Sequence, residues 1–169
     1  MPVTLNGGMQ MPAWYDIFTL DPEAPDREDM RGVETAAANL RGMVEAETTQ
    51  AGIPRDRVII GGFSQGGAVA LYAMLKERER LGGCLALSTY LPGKRDAYDF
   101  ESKSSTPVLQ CHGESDEVVP FSRGEQTLGA LKELVTDVRF QGYPGMAHEA
   151  VPEELDLVKS FITEQLPEK

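Results

Sequence analysis

The sequence predicts an α/β fold, a mostly parallel sheet with helices on both faces, built as a single domain over residues 1–169. Three observations carry this. Short apolar runs without polar alternation, such as Val58-Ile59-Ile60 and Pro107 to Cys111, read as strands buried on both faces. Between them lie segments whose apolar residues recur at spacings of three and four, the period of an amphipathic helix. The two kinds of segment alternate along the chain, as they do where parallel strands are joined by covering helices. At 169 residues and 41% hydrophobic content, the chain can bury one substantial core.

The elements follow in order. Met30, Val33, Ala37, Leu40 and Val44 share one helical face, after an acidic stretch and before Gly52. Arg57 to Gly61 is the first strand, and small and apolar residues then predict a helix from about Gly66 to Lys76. Gly83 to Ser88 and Pro107 to Cys111 are further buried strands. Leu128, Leu131, Leu134 and Val135 mark a helix, Val138 to Tyr143 another strand, and Leu155, Val158, Ile162 and Leu166 the closing helix. The stretches Asp21 to Asp29 and Gly93 to Thr106, rich in Pro, Asp, Ser and Lys, are surface connections, and neither divides the chain into domains. There is no internal repeat.

Composition removes several functional classes. The 27 acidic residues outnumber the 16 basic ones and leave a formal charge of −11, which repels nucleic-acid backbones and anionic lipid surfaces. No run reaches the length of a membrane span, and Met1-Pro2-Val3-Thr4-Leu5 lacks the pattern of a secretory leader, so a cytoplasmic protein with no membrane-spanning segment is expected. Cys84 and Cys111, both within apolar runs, read as buried free thiols of a reducing compartment.

Chemistry collects just beyond the strands, where open parallel sheets bind their ligands. Gly62-Phe63-Ser64-Gln65-Gly66 follows an apolar strand directly. Glycines flanking a serine there permit a strained strand-to-helix turn that lifts one hydroxyl over the sheet edge. His112-Gly113-Glu114-Ser115-Asp116 follows another strand, and Gly145-Met146-Ala147-His148 the last. A serine hydroxyl needs an imidazole to take its proton, and the imidazole needs a carboxylate to orient it. Ser64, Asp116 and His148 supply these in the chain order serine, acid, histidine, which is that of the α/β-hydrolase arrangement. His148 is preferred as the base because it lies on a glycine-rich loop after the last strand. His112 adjoins a strand end and remains either a second candidate base or a structural group donating to a nearby carbonyl. Glu114 and Glu117 compete with Asp116 as the acid. A metal site at His112, Glu114 and Asp116 lacks a second anchoring histidine, and Cys111 with His112 are sequence neighbours badly placed to act as a nucleophile pair. No metal and no cofactor are expected.

A family resemblance runs through these same stretches. Gly52-Ile53-Pro54, Arg57 through Ala68 with its Gly-Gly-Phe-Ser-Gln-Gly-Gly, Leu87-Ser88-Thr89-Tyr90-Leu91-Pro92, and Gln110-Cys111-His112-Gly113 with Asp116 and Val119-Pro120 resemble the acyl-protein thioesterases, also called the lysophospholipase/carboxylesterase family. Gly145-Met146-Ala147-His148 and Met11-Pro12-Ala13-Trp14-Tyr15-Asp16 do so too. The resemblance implies a cytosolic α/β-hydrolase that cleaves thioesters of palmitoylated proteins and carboxylic esters such as lysophospholipids, without a cofactor. It puts Ser64, Asp116 and His148 on the family's triad positions, through the pattern His-Gly-x-x-Asp-x-x-Val-Pro for the acid, and gives the Gln65 backbone N–H to the oxyanion hole. An acyl chain needs an apolar trough, and Tyr90, Leu91, Val118, Val119 and Phe121, with Trp14, are the expected lining.

The resemblance also implies a difference. Relatives carry an additional N-terminal segment with the first strands and a His-Gly-x-Gly-Asp loop, so this chain reads as a truncated α/β-hydrolase. That loop supplies the second oxyanion donor, and losing one such donor typically costs on the order of a hundredfold or more in rate. The strand from Arg57 to Gly61 is then expected to be a bare apolar edge, open to self-association, in a chain of marginal stability. Two readings follow: an acyl-ester and thioester hydrolase, or a catalytically impaired hydrolase acting as an interaction module through its exposed sheet edge.

Overall fold

The structure, a computed structural model, describes residues 1–19 and 28–168, so most of the connection expected from Asp21 to Asp29 lies outside the described residues. Among the described residues the main sheet has four parallel strands in the order β3 (Ile59–Phe63), β4 (Gly83–Leu87), β5 (Val108–Gly113) and β6 (Val138–Tyr143). Before it come β1 (Pro2–Val3) and β2 (Met9–Gln10), an antiparallel pair forming a separate two-stranded unit.

Among the described residues, four α-helices cover the main sheet: α1 (Met30–Thr49), α2 (Gln65–Leu75), α3 (Phe121–Leu134) and α4 (Pro152–Gln165). α2 lies on β3 and β4 with α1 stacked outside it, α3 contacts β5 and β6, and α4 packs on β4 and β5. Alternation along the strands divides the core accordingly. Ile60, Cys84, Ala86 and Val108 join the large cluster with α1, α2 and the end of α3, whereas Leu109 and Cys111 meet Phe161 of α4 in a second cluster. Both cysteines are buried free thiols with no disulfide between them. Strands buried on both faces carry no polar alternation, which is why the sequence shows continuous apolar runs here. Among the described residues, no helix is long and apolar enough to cross a membrane.

Local chemistry sets the boundaries. Asp29 caps α1 by accepting the Gly32 N–H at 3.0 Å. β3 begins two residues later than the expected start at Arg57, because residues Arg55–Arg57 form a 3₁₀ turn in which Arg57 N–H donates to the Pro54 carbonyl at 2.8 Å. It also continues through both glycines to Phe63, paired with Leu87. α3 starts at Phe121, a full two turns before the first leucine of its apolar face. Among the described residues β3 is an edge strand, as expected, and β6 is the other edge.

The register aligns the functional ends. Past the last paired residues, Ser64 N–H donates to the Leu87 carbonyl, Ser88 N–H to that of Cys111 and Glu114 N–H to that of Tyr143, at 2.9, 2.9 and 3.0 Å. All four strands thus release their following loops at one rim.

Candidate active site

Ser64 sits at the turn between β3 and α2 with φ 54° and ψ −125°, a backbone region that non-glycine residues rarely enter. The surrounding glycines make the turn possible. A β-carbon at Gly62 would lie 2.4 Å from the Gly66 carbonyl carbon, and one at Gly67 would lie 2.8 Å from the Gly62 oxygen. Strand and helix therefore approach more closely than any side chain allows. Thr89 Oγ1 donates to the Ser64 carbonyl at 2.7 Å and holds the turn from the β4 side. Gln65 is the first residue of α2, where backbone N–H groups have no acceptor within the helix and the helix dipole favours negative charge.

Asp116 has a fully buried side chain whose oxygens divide their duties. Oδ1 accepts the N–H groups of Val118 and Val119 at 2.9 and 2.8 Å, while Oδ2 meets His148 Nδ1 at 2.7 Å. A carboxylate accepts, so Nδ1 carries the proton and Nε2 is left with its lone pair, the tautomer a general base requires. His148 is mostly buried and lies against the Phe63 ring, at 4.6 Å between centroids. Its loop is pressed onto the end of β5, where a β-carbon at Gly113 would fall 2.2 Å from the Met146 oxygen, and Ser115 N–H donates to that same oxygen at 3.0 Å. Glu114 and Glu117, the other acids considered, are exposed.

His112 has a different setting. It is fully buried, its Nε2–H donates to the Val119 carbonyl at 2.9 Å, and Asp116 Oδ2 lies 3.7 Å from the same nitrogen. Burial holds its imidazole below the ordinary range, outweighing Val119 and Asp116, which favour the proton. Its ring is so close to α3 that a β-carbon at Gly124 would lie 2.6 Å from Nδ1. By tying down Val119, His112 steadies the turn whose N–H groups hold Asp116.

Ser64 and His148 line one cleft of about 380 Å³. Of the expected apolar lining, Trp14, Tyr90, Val118 and Val119 are there. Leu91 and Phe121 are not. Leu91 N–H donates to Thr127 Oγ1 and the residue borders a different groove over α3, while Phe121 opens α3 with its ring against His112 and Phe140. Leu91 follows the buried Tyr90 and is turned toward α3, and Phe121 is drawn into the aromatic contact that starts that helix. The sequence reading missed Val3, Leu5, Met11, Ile17 and Phe63, which line the cleft too. Trp14, and the resemblance carried by Met11 to Asp16 around it, are the signals that point to that N-terminal stretch. A larger polar cleft of about 460 Å³, bordered by Lys76, Arg78, Arg80 and Lys103, holds none of the expected site residues.

Comparison with known proteins agrees with this architecture. The model of the phospholipase/carboxylesterase family matches residues 1–166. The chain is 42% identical to acyl-protein thioesterase 1 of Neurospora crassa, covering 99% of this chain and 71% of that protein. It is 39% identical to acyl-protein thioesterase 1 homolog 1 of Dictyostelium discoideum, covering 98% and 73%. Among solved structures it resembles Arabidopsis thaliana SOBER1, with a TM-score of 0.87 at 33% identity over 98% of this chain and 79% of that one. Zea mays acyl-protein thioesterase 2 gives a TM-score of 0.80 at 31% identity over 98% and 77%. These likenesses do not favour the reading as a non-catalytic interaction module. The chain belongs to the phospholipase/carboxylesterase family and is a serine hydrolase of the α/β-hydrolase fold.

Proposed function

We propose that the chain hydrolyses thioesters of palmitoylated proteins and carboxylic esters such as lysophospholipids, with Ser64 as nucleophile, His148 as base and Asp116 as its orienting acid. The observation that carries this reading is the 2.7 Å contact of Asp116 with His148 Nδ1 beside the apolar cleft that Ser64 borders. His148 Nε2 takes the hydroxyl proton as Ser64 Oγ attacks the acyl carbonyl. The Gln65 backbone N–H and the positive end of α2 stabilise the oxyanion. The protonated imidazole then gives its proton to the leaving thiol or alcohol, and water repeats the sequence on the acyl-enzyme. Ser64 Oγ and His148 Nε2 come into hydrogen-bond contact as substrate enters, since such bonds form or tighten in the substrate complex.

The names of the related thioesterases support acylated proteins as substrates, and two buried free thiols support a cytoplasmic setting. Reaction with a fluorophosphonate tests the chemistry: the protein is expected to label, and Ser64→Ala is not. Labelling that survives Ser64→Ala overturns the assignment. Parallel assays with a palmitoylated peptide and a lysophospholipid rank the substrates.

The unaccompanied β3 edge supports a second property, self-association of a marginally stable chain. Light scattering is expected to give a mass that rises with concentration, and a constant monomer with an ordinary melting temperature counts against it.

A further inference from the structure

The side chain of Gln65 makes contacts separate from those of its backbone. Its carboxamide bridges two consecutive residues of the N-terminal segment: Oε1 accepts the Trp14 N–H at 3.1 Å, and Nε2 donates to the Tyr15 carbonyl at 3.0 Å. A primary amide offers one acceptor and one donor side by side, whereas an ionised glutamate has no donor for the carbonyl and methionine has neither.

The segment held in this way is a distinct piece of the molecule. Its β1–β2 pair is not hydrogen-bonded into the main sheet. Thr4 donates to the Asp16 carboxylate through its N–H at 2.7 Å and its hydroxyl at 2.6 Å, and Leu5 N–H donates to the Ile17 carbonyl at 2.8 Å. These bonds join the start of the segment to its end. From it come Val3, Leu5, Met11, Trp14 and Ile17, which line the cleft that Ser64 borders.

We propose that Gln65 is a positioning residue for acyl-chain selectivity, its carboxamide fixing the apolar wall of residues 3–17 to the nucleophile turn. The proposal rests on the hydrolase reading above. A long chain seated on the wall is thereby held in register with the N–H group at the reacting carbonyl, and a short chain that does not reach the wall gains little from the link. Substitution of the side chain keeps the Gln65 backbone N–H, so the two roles separate experimentally.

Trp14 is the sole tryptophan of the chain and lies on the wall, so its fluorescence reports wall position without any turnover. Two variants are compared with the wild type: Gln65→Met, and Thr4→Val, which loosens the wall from a residue outside the cleft. Acrylamide quenching of Trp14 is measured with and without laurate, and kcat/KM is measured for p-nitrophenyl laurate and p-nitrophenyl acetate. In both variants quenching is expected to rise and protection by laurate to weaken. The laurate-to-acetate ratio of kcat/KM should fall roughly three- to tenfold, the scale of one or two lost neutral hydrogen bonds, and through KM more than kcat. Unchanged quenching in the folded variants, or an equal loss on both esters, overturns the proposal. If Gln65→Met does not fold, Gln65→Glu, which keeps the acceptor but has no donor for the Tyr15 carbonyl, takes its place in the same measurements. Failure of Ser64-dependent labelling would refute the hydrolase reading and still leave the quenching comparison informative.

Discussion

Asp116 separates two imidazoles with opposite settings. On the cleft side His148 keeps part of its ring accessible, and its Nδ1 takes the short bond to Oδ2. On the core side His112 is sealed beneath α3, spends its Nε2–H on a backbone carbonyl, and is held neutral by burial. In the proposed reaction the same kind of side chain serves as a proton carrier on one side and as a brace on the other. Access to solvent and the partner of each nitrogen divide the roles.

The largest expected contrast comes from deleting each ring. His148→Ala should lower kcat roughly 10⁴-fold or more while the denaturation midpoint moves little. Asp116→Asn, which permits the wrong tautomer, should lower kcat about 10³- to 10⁴-fold on the same ester assay. His112→Ala should instead cost about 2–4 kcal/mol in urea unfolding, with a smaller loss of kcat than His148→Ala. The reverse pattern, inactivity without destabilisation at His112, would exchange the two assignments.

Acid sharpens the comparison further. With its folded pKa below the ordinary 6.5, His112 takes up a proton more readily in the unfolded chain. Its contribution is therefore present above pH 6.5 and is lost as pH falls toward and through the folded value. Melting temperatures from pH 7 to pH 4 should show a slope that His112→Gln reduces. Glu154 gives the smallest effect and the opposite sign. It is fully buried near Cys111 and Tyr143, and burial raises its pKa above the ordinary 4.5. Its contribution is complete below pH 4.5 and is lost as pH rises through the folded value, so Glu154→Gln should melt higher than wild type at pH 8 but not at pH 4.5.

Much of this arrangement is legible in the order of residues. The apolar spacing of α1, the strand from Val138 to Tyr143 and the glycines around Ser64 each follow from local rules that the folded chain obeys. The start of α3 is not legible, because Ser122-Arg123-Gly124-Glu125 has no apolar period, and Gly124 is there to accommodate a ring from β5. The two-residue strands β1 and β2 are too short for alternation to register. The apolar wall they help form, and its attachment through a glutamine more than 45 residues away, exist only once the chain has folded. Leu91 and Phe121 show the converse, since closeness in sequence to a cleft residue says little about which way a neighbour points.

The two interior cysteines have a practical corollary. Burial pushes both thiols up to about 12, so neither is a thiolate near neutral pH. A cysteine introduced at the exposed Met9 would then be the reactive sulfur of the protein. A maleimide dye or nitroxide attached there would follow the β1–β2 unit in real time, with the native pair left in place.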